Sequence, residues 1–185
     1  MGRWEPDARG RMIKAALDLF AERGFEQTTA GDIAESAGVT ERTFFRHFAD
    51  KREVLFDGSA TLERTACEAI RSAPAGLPPL DAALAGMAAG GDLLQERREH
   101  AVRRSLIVAA TPALKERELL KLASMTEATT EALRERGAPQ RDAALAAHSA
   151  VTVFSVAFVH WVSTPDAPGF AACVAETAAA LRALM

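Results

Sequence analysis

The sequence predicts an all-α protein, on three observations. It contains no Tyr and only 6% aromatic residues, so the core must be built mainly from Ala, Leu and Val, which favours packed helices over sheets. Apolar residues recur at helical spacing along most of the chain, and no segment sustains the two-residue alternation of a strand. Glycine and proline fall between the helical stretches, where start and stop signals belong. With 49% hydrophobic and 25% charged residues the 185-residue chain is composed like a globular protein, which excludes a disordered one.

Each element follows in order. From Asp7 to Arg23, Ile13, Leu17, Phe20 and Ala21 lie at helical spacing, and Gly24 followed by Phe25 has the form of a glycine stop with its apolar partner. Thr29 caps a second, short helix, and Asp32 can return the hydrogen bond as a capping box. Gly38 ends that helix and Thr40 caps a third, "ERTFFRHF". A fourth starts at Asp50 and runs through Val54, Leu55 and Leu62 towards Ile70, covering about 50–73. "SAPAGLPP" (72–79) is the clearest break. After it come Leu80 to Gly90, ended by Gly90–Gly91, and then Asp92 to Ala110. Thr111–Pro112 restarts a helix to about Arg136, since a capping residue followed by proline suits a first turn. "GAP" (137–139) separates it from Gln140–Ser163, and the last helix covers Pro168–Leu184. These elements divide into a helix-turn-helix domain, 1–52, and a larger helical domain, 53–185, with the fourth helix as the link.

The formal net charge is −3, so no global basic field points to nucleic acid. Residues 1–52 carry nine Lys/Arg and nine Asp/Glu, a balanced head on an acidic body. Cys67 and Cys173 match no metal spacing and form no disulfide framework, and both are expected as reduced core residues. "MGRWEPDARG" has no apolar h-region, so no secretory signal is expected. Ala143 to Pro165 is uncharged and resembles a membrane span, but His148, Ser149, Thr152, Ser155, His160 and Ser163 punctuate it and no Lys or Arg flanks "TPDAPG". A helix apolar all round can be buried in a core or a subunit interface instead, which gives a cytoplasmic protein with no membrane partner.

The stretch "VTERTFFRHFADK" sets three phenylalanines beside two arginines, a histidine and a lysine. With its neighbour it reads as two short helices separated by Ala37-Gly38-Val39, the pattern of a helix-turn-helix. Ala34 is small enough for the helices to cross closely, and Gly38 can take the left-handed backbone of a sharp turn. Ile33, Val39, Phe44 and Phe48 then point inward against Ile13, Leu17 and Phe20, leaving Glu41, Arg42, Phe45, Arg46 and His47 outside. Such a helix suits the major groove, where Arg binds guanine N7 and O6 and Glu accepts from cytosine N4. The capped ends at Thr29 and Thr40 offer backbone N–H groups to phosphates, and Lys51 and Arg52 are placed to clamp the adjacent strand. The plainer account is a solvated face, with Arg42 and Arg46 paired to Glu41 and Asp50, but the turn and caps around them favour DNA. Arg3, Trp4, Arg9 and Arg11 form either an arm on the DNA backbone or a plain tail.

The stretch from Arg9 to about Phe56, "AALDLFAERGFEQTTAGDIAESAGVTERTFFRHFADKREVLF", closely resembles the amino-terminal domain of the TetR family of transcriptional regulators. It covers about a quarter of the chain. The resemblance implies phosphate contacts at Thr29 and Lys51, and a recognition helix carrying Thr40, Glu41, Arg42, Thr43, Arg46 and His47. Phe45 departs from it, because that position is usually a tyrosine whose hydroxyl meets a phosphate, and phenylalanine keeps only stacking against the sugar–phosphate edge. The resemblance also implies a homodimer whose last two long helices pair into a four-helix bundle, an effector pocket in the same domain, and a helix 4 that moves when the pocket fills.

For the dimer, Val151, Phe154, Phe158 and Trp161 lie on one stripe of the uncharged helix, and Phe170, Val174 and Leu181 on one stripe of the last. Candidates for the pocket are Met87, Leu106, Ile107, Met125 and Phe154, with Arg103 to anchor an anion. Core packing and a Glu99–Arg103 surface pair are the plainer accounts. His148 and His160 stand about 120° apart on a helix, so no metal site is expected, and no cofactor motif is present. The expected protein is therefore a homodimeric repressor released from a palindromic double-stranded DNA operator by a small apolar or amphipathic ligand. Alternatives are a regulator sensing redox state through Cys67 or Cys173, one sensing a protein partner, or an all-helical carrier or enzyme. No phosphate-binding glycine loop, HExxH, GxSxG or convincing cluster of carboxylates supports catalysis.

Overall fold

The computed structural model describes residues 7–184, and Arg3 and Trp4 lie outside them. The described residues form nine α-helices and one 3-10 turn, with no strand, the all-α class that the composition predicts. They group into two compact units, one comprising the chain up to Asp57 with Arg103–Glu116, the other Gly58–Val102 with Arg117 onwards.

The first unit holds α1 (Ala8–Arg23), α2 (Ala30–Ser36), α3 (Glu41–His47) and the 3-10 turn Glu53–Phe56. Met12, Leu17 and Phe20 of α1 pack with Ile33, Phe44, Phe48 and Leu55 in one core. A second chain segment completes that core. Ile107, Val108 and Leu114, at the corner between α6 (Arg98–Ala110) and α7 (Pro112–Glu135), are buried in it. Arg103 pairs with Asp18 at 2.5 Å, and Arg104 donates to the Leu55 carbonyl at 2.6 Å with its guanidinium 4.7 Å from the Phe56 ring centroid. The sequence division puts 103–116 in the second domain, because apolar spacing marks a buried face without saying which core receives it.

The second unit holds α4 (Ser59–Ser72), α5 (Pro79–Gln95), the rest of α7, α8 (Gln140–Ser163) and α9 (Phe170–Ala183). α5 packs against α4, α8 and α9, and α8 against α9. Its core is rich in alanine, with Ala66, Ala82, Ala83, Ala132, Ala147 and Ala150 fully or almost fully buried around Ile70, Met87, Leu133 and Trp161. α8 is long and apolar enough to cross a membrane by length and composition, and one of its faces is buried here by Phe154, Ala157 and Trp161.

Three boundaries differ from expectation. Gly90–Gly91 does not end a helix, since α5 runs through both. Packing favours glycine there: a Cβ on Gly91 would clash with Phe170 Cδ1 at 2.1 Å, and one on Gly90 would sit tightly, 3.1 Å from the Leu62 carbonyl. The expected helix from Asp50 is instead the 3-10 turn and α4, broken at Gly58, where φ is 86°. The following helix starts at Arg98 and not at Asp92, because α5 extends to Gln95.

Candidate nucleic-acid interface

The turn between α2 and α3 is built as the residues suggest. Gly38 has φ 68°, its N–H donates to the Glu35 carbonyl at 3.0 Å, and Val39 donates to Ala34 at 2.9 Å. Ile33, Ala34 and Phe44 are buried at the crossing. Thr40 caps α3 by accepting from Thr43 N at 3.2 Å, and their hydroxyls lie 3.0 Å apart. Burial of Phe44 and Phe48 aims the opposite face of α3 outward. Glu41, Arg42, Phe45 and Arg46 are exposed, while Thr43 and His47 are half-buried.

Arg42 and Arg46 make no ion pair or hydrogen bond among the described residues, so the salt-bridged solvated face is not what forms. Asp50 pairs instead with Arg52, at 2.7 Å. Arg52 is thereby committed, and its hydrogen bond holds the Asp50 carboxyl below the usual carboxylate range. Arg9 pairs with Asp57 with its guanidinium 5.1 Å from the Phe48 ring centroid, and Arg11 donates to the Ala37 carbonyl at 3.0 Å. The two described arginines of the expected arm therefore brace the domain.

The capping box of α2 forms as expected. Thr29 N donates to Asp32 at 2.8 Å, Thr29 Oγ1 to the same oxygen at 2.7 Å, and Asp32 N to Thr29 Oγ1 at 3.1 Å. These bonds hold the Asp32 carboxyl below its ordinary range. Both donors of Thr29 are thus engaged by a carboxylate, which makes Thr29 a cap before it is an anion contact. Lys51 is likewise occupied, donating to the carbonyls of Phe25 at 2.7 Å and Thr28 at 2.9 Å with its Nζ 4.2 Å from the Phe25 ring centroid. Sequence reasoning missed this second role because the carbonyls that a lysine meets leave no mark on the sequence.

In the second unit, Met87, Met125 and Phe154 belong to one core, whereas Arg103, Leu106 and Ile107 fall in the first unit. The six pocket candidates are therefore not one cluster, and Leu106 is 68% exposed. The expected dimer stripe is also differently placed. Val151, Phe154, Trp161, Phe170 and Val174 are buried, and Phe158 and Leu181 pack partly against the same core. What α8 leaves outside is Leu145, His148, Thr152, Val156 and Val159, and α9 leaves Ala172, Ala175 and Ala179. Both faces of α8 are apolar, so spacing alone could not choose between them; the bulk of Phe154 and Trp161, which an intramolecular core rewards, was the available signal. An open groove of about 430 Å³ lies at Arg71, Ala73, Ala75, Glu135 and Arg136, but Arg71 there pairs with Glu135 and Arg136 caps the carbonyls of Ala73 and Pro74.

Two short helices at a glycine turn, with an outward basic face on the second, define the first unit as a helix-turn-helix module of the transcription-regulator class. Residues 12–57 match the model of the bacterial regulatory proteins, tetR family. TcmR of Streptomyces glaucescens, an HTH-type transcriptional regulator, is 43% identical over 74 residues, 40% of this chain and 33% of that protein. The repressor KstR2 of Mycobacterium tuberculosis is 43% identical over 47 residues, 25% of this chain and 24% of its own. The chain thus matches a quarter to a third of the length of these curated relatives. A crystal structure of Thermus thermophilus FadR, a TetR-family repressor in complex with lauroyl-CoA, superposes with a TM-score of 0.58 at 21% identity, over 94% of this chain and 92% of that one, which extends the likeness of fold to both units. The family match, the curated relatives and the likeness of fold all point to the TetR family of transcriptional regulators.

Proposed function

We propose that the protein is a homodimeric, sequence-specific DNA-binding repressor of the cytoplasm, released from a palindromic operator by a small apolar or amphipathic ligand. The observation that carries this is the outward pair Arg42 and Arg46, unpaired on a recognition helix whose other face is locked into a core. Arginine so presented suits guanine in the major groove, with Glu41, Thr43, Phe45 and His47 around it. The exposed apolar face of α8 and the alanine face of α9 supply a dimer surface, and two-fold symmetry would set two recognition helices on successive major grooves. The ligand-bound relative supports a small-molecule effector, which would shift the dimer towards a spacing that does not fit the operator. Burial pushes both the Cys67 and Cys173 thiols up, away from the thiolate that oxidant sensing needs, so the ligand reading is preferred to the redox one.

The test is a binding titration against the DNA immediately upstream of the protein's own gene, at two salt concentrations, beside a scrambled duplex of equal length. Tight, salt-sensitive protection of a short palindrome is expected. Arg42→Ala should relax base preference by about 1–3 kcal/mol at one position of each half-site. Equal weak binding to both duplexes would count against this operator.

A further inference from the structure

We propose that Arg98 and Trp161 form the polar end of an effector site in the second unit, and that the ligand they accept carries a carboxylate on an aromatic or apolar body. The proposal rests on the ligand-responsive reading above and gives it a chemistry. Trp161 is fully buried, and its indole Nε1–H, which can only donate, meets no acceptor among the described residues. The Nε–H of Arg98 is also buried without an acceptor. Buried donors are almost always satisfied, so two orphans at one place call for an explanation.

They are at one place. The Arg98 guanidinium carbon lies 5.5 Å from the Trp161 ring centroid. Another nitrogen of the same guanidinium, Nη2, donates to the carbonyls of Trp161 at 2.9 Å and Thr164 at 2.6 Å, which caps α8 and fixes the group. Arg98 pairs with no carboxylate among the described residues. The surrounding walls are aromatic: the Phe158 and Phe170 centroids lie 6.2 and 5.4 Å from that of Trp161, and Phe154 lies 5.2 Å from Phe170.

A half-buried cation, two donors and an aromatic wall without an acid define the complement. It is a planar anion with two acceptor oxygens and an apolar remainder, and a carboxylate supplies one acceptor for each of the two unpartnered N–H groups. A phosphoryl group brings more charge and more acceptors than two donors satisfy. The Nε edge is available without breaking the two carbonyl bonds that hold α8. Because both donor atoms are sealed, the ligand enters by displacing the half-buried Phe158 ring, which leaves the carbonyl bonds of Arg98 in place. This assigns to Arg98 the anion-anchoring role expected of Arg103, which is committed to Asp18.

The test uses the full-length protein with Trp4→Phe, which leaves Trp161 as the one remaining tryptophan. Phenylacetate and decanoate are titrated beside their neutral amides, phenylacetamide and decanamide, following Trp161 emission, with calorimetry for variants lacking it. At least one acid should bind saturably and roughly tenfold tighter than its amide, the effect of a charged hydrogen bond. Trp161→Phe and Arg98→Met should each reduce that preference, with unfolding curves confirming that the variants are folded; Trp161→Phe retains the ring packing should Arg98→Met not fold. No saturable binding of either acid at millimolar concentration, equal affinity for acid and amide, or a preference that survives both substitutions would overturn the proposal. Operator release is measured separately. An acid that binds through Arg98 and Trp161 without altering DNA affinity upholds this site and sinks the effector reading, whereas operator release by a different ligand with no acid binding sinks only this site.

Discussion

Lys51 fastens Phe25 twice, donating to its backbone carbonyl at 2.7 Å and placing its ammonium 4.2 Å from the ring centroid. A further bond to the Thr28 carbonyl ties the turn before α2, so one cation sets where the α2 cap stands. Lys51→Met, which keeps the stem and removes the donors, should destabilise the free protein by about 1–3 kcal/mol, because two carbonyls lose their partner. Urea unfolding without DNA measures this. The phosphate contact implied by family resemblance would add a second effect, a fall of about one unit in the salt dependence of DNA binding. An unchanged urea midpoint would reduce Lys51 to a DNA contact alone.

Acid should loosen the helix-turn-helix unit through two carboxylates. Hydrogen bonds from Thr29 hold Asp32 below its ordinary range, and the Arg52 hydrogen bond does the same for Asp50. A depressed folded value stabilises the fold above the unfolded one, about 3.9 for Asp, and that contribution disappears as pH falls through the lower folded value. The melting temperature should therefore drop below about pH 4, and Asp32→Asn should flatten part of that drop while lowering stability at neutral pH. A melting profile as steep in the variant as in the parent would remove Asp32 from the account.

Leu114 is fully buried in the first unit although it lies more than fifty residues beyond α3. Leu114→Ala should cost about 2–5 kcal/mol, and a fragment ending at Asp57 should lack a stable core because Ile107, Val108 and Leu114 are missing from it. Circular dichroism of the fragment, alone and with a peptide covering 103–116, tests this. A fragment as helical and as cooperative as the parent unit would contradict it.

Local chemistry made much of this molecule legible. Thr29 with Asp32, Gly38, Thr111–Pro112 and Gly137 act within a few residues of themselves, and α2, α3, α7 and α8 start where they indicate. Gly90 and Gly91 misled because their role is contact with Leu62 and Phe170, which no nearby residue announces. The outward set on α3 was also legible, since burial of Phe44 and Phe48 fixes its opposite face. The partners of Lys51, Arg9 and Arg103 were not, because each reaches across the fold to a carbonyl or carboxylate that spacing cannot identify.

The two apolar faces of α8 should respond differently to substitution. Phe154 is buried against Phe170, so Phe154→Ala should destabilise the unit by about 3–5 kcal/mol. Val156 is 54% exposed, and Val156→Glu should leave the fold of one subunit intact while converting a dimer to monomers. Sedimentation at several concentrations, with melting of both variants, checks this. A Val156→Glu protein that sediments like the parent would place the dimer surface elsewhere.

Phe45 offers the sharpest test of the interface. Phe45 is 51% exposed and its ring meets Phe44 edge-on at 5.4 Å, so α3 holds it at a fixed place on the outer face. The ring contributes little to the core and stands open on the outer face of α3 beside Arg42 and Arg46. Adding a hydroxyl at the outer edge disturbs no buried atom and supplies the donor that the family resemblance implies at this position. Phe45→Tyr should therefore tighten operator binding severalfold, the worth of about 1 kcal/mol for one hydrogen bond, with no change in melting temperature. Because a phosphate contact carries no base information, the gain should be equal on operator and scrambled DNA. A gain confined to the operator, or a loss on both, would mean that the ring faces a base edge and not the backbone.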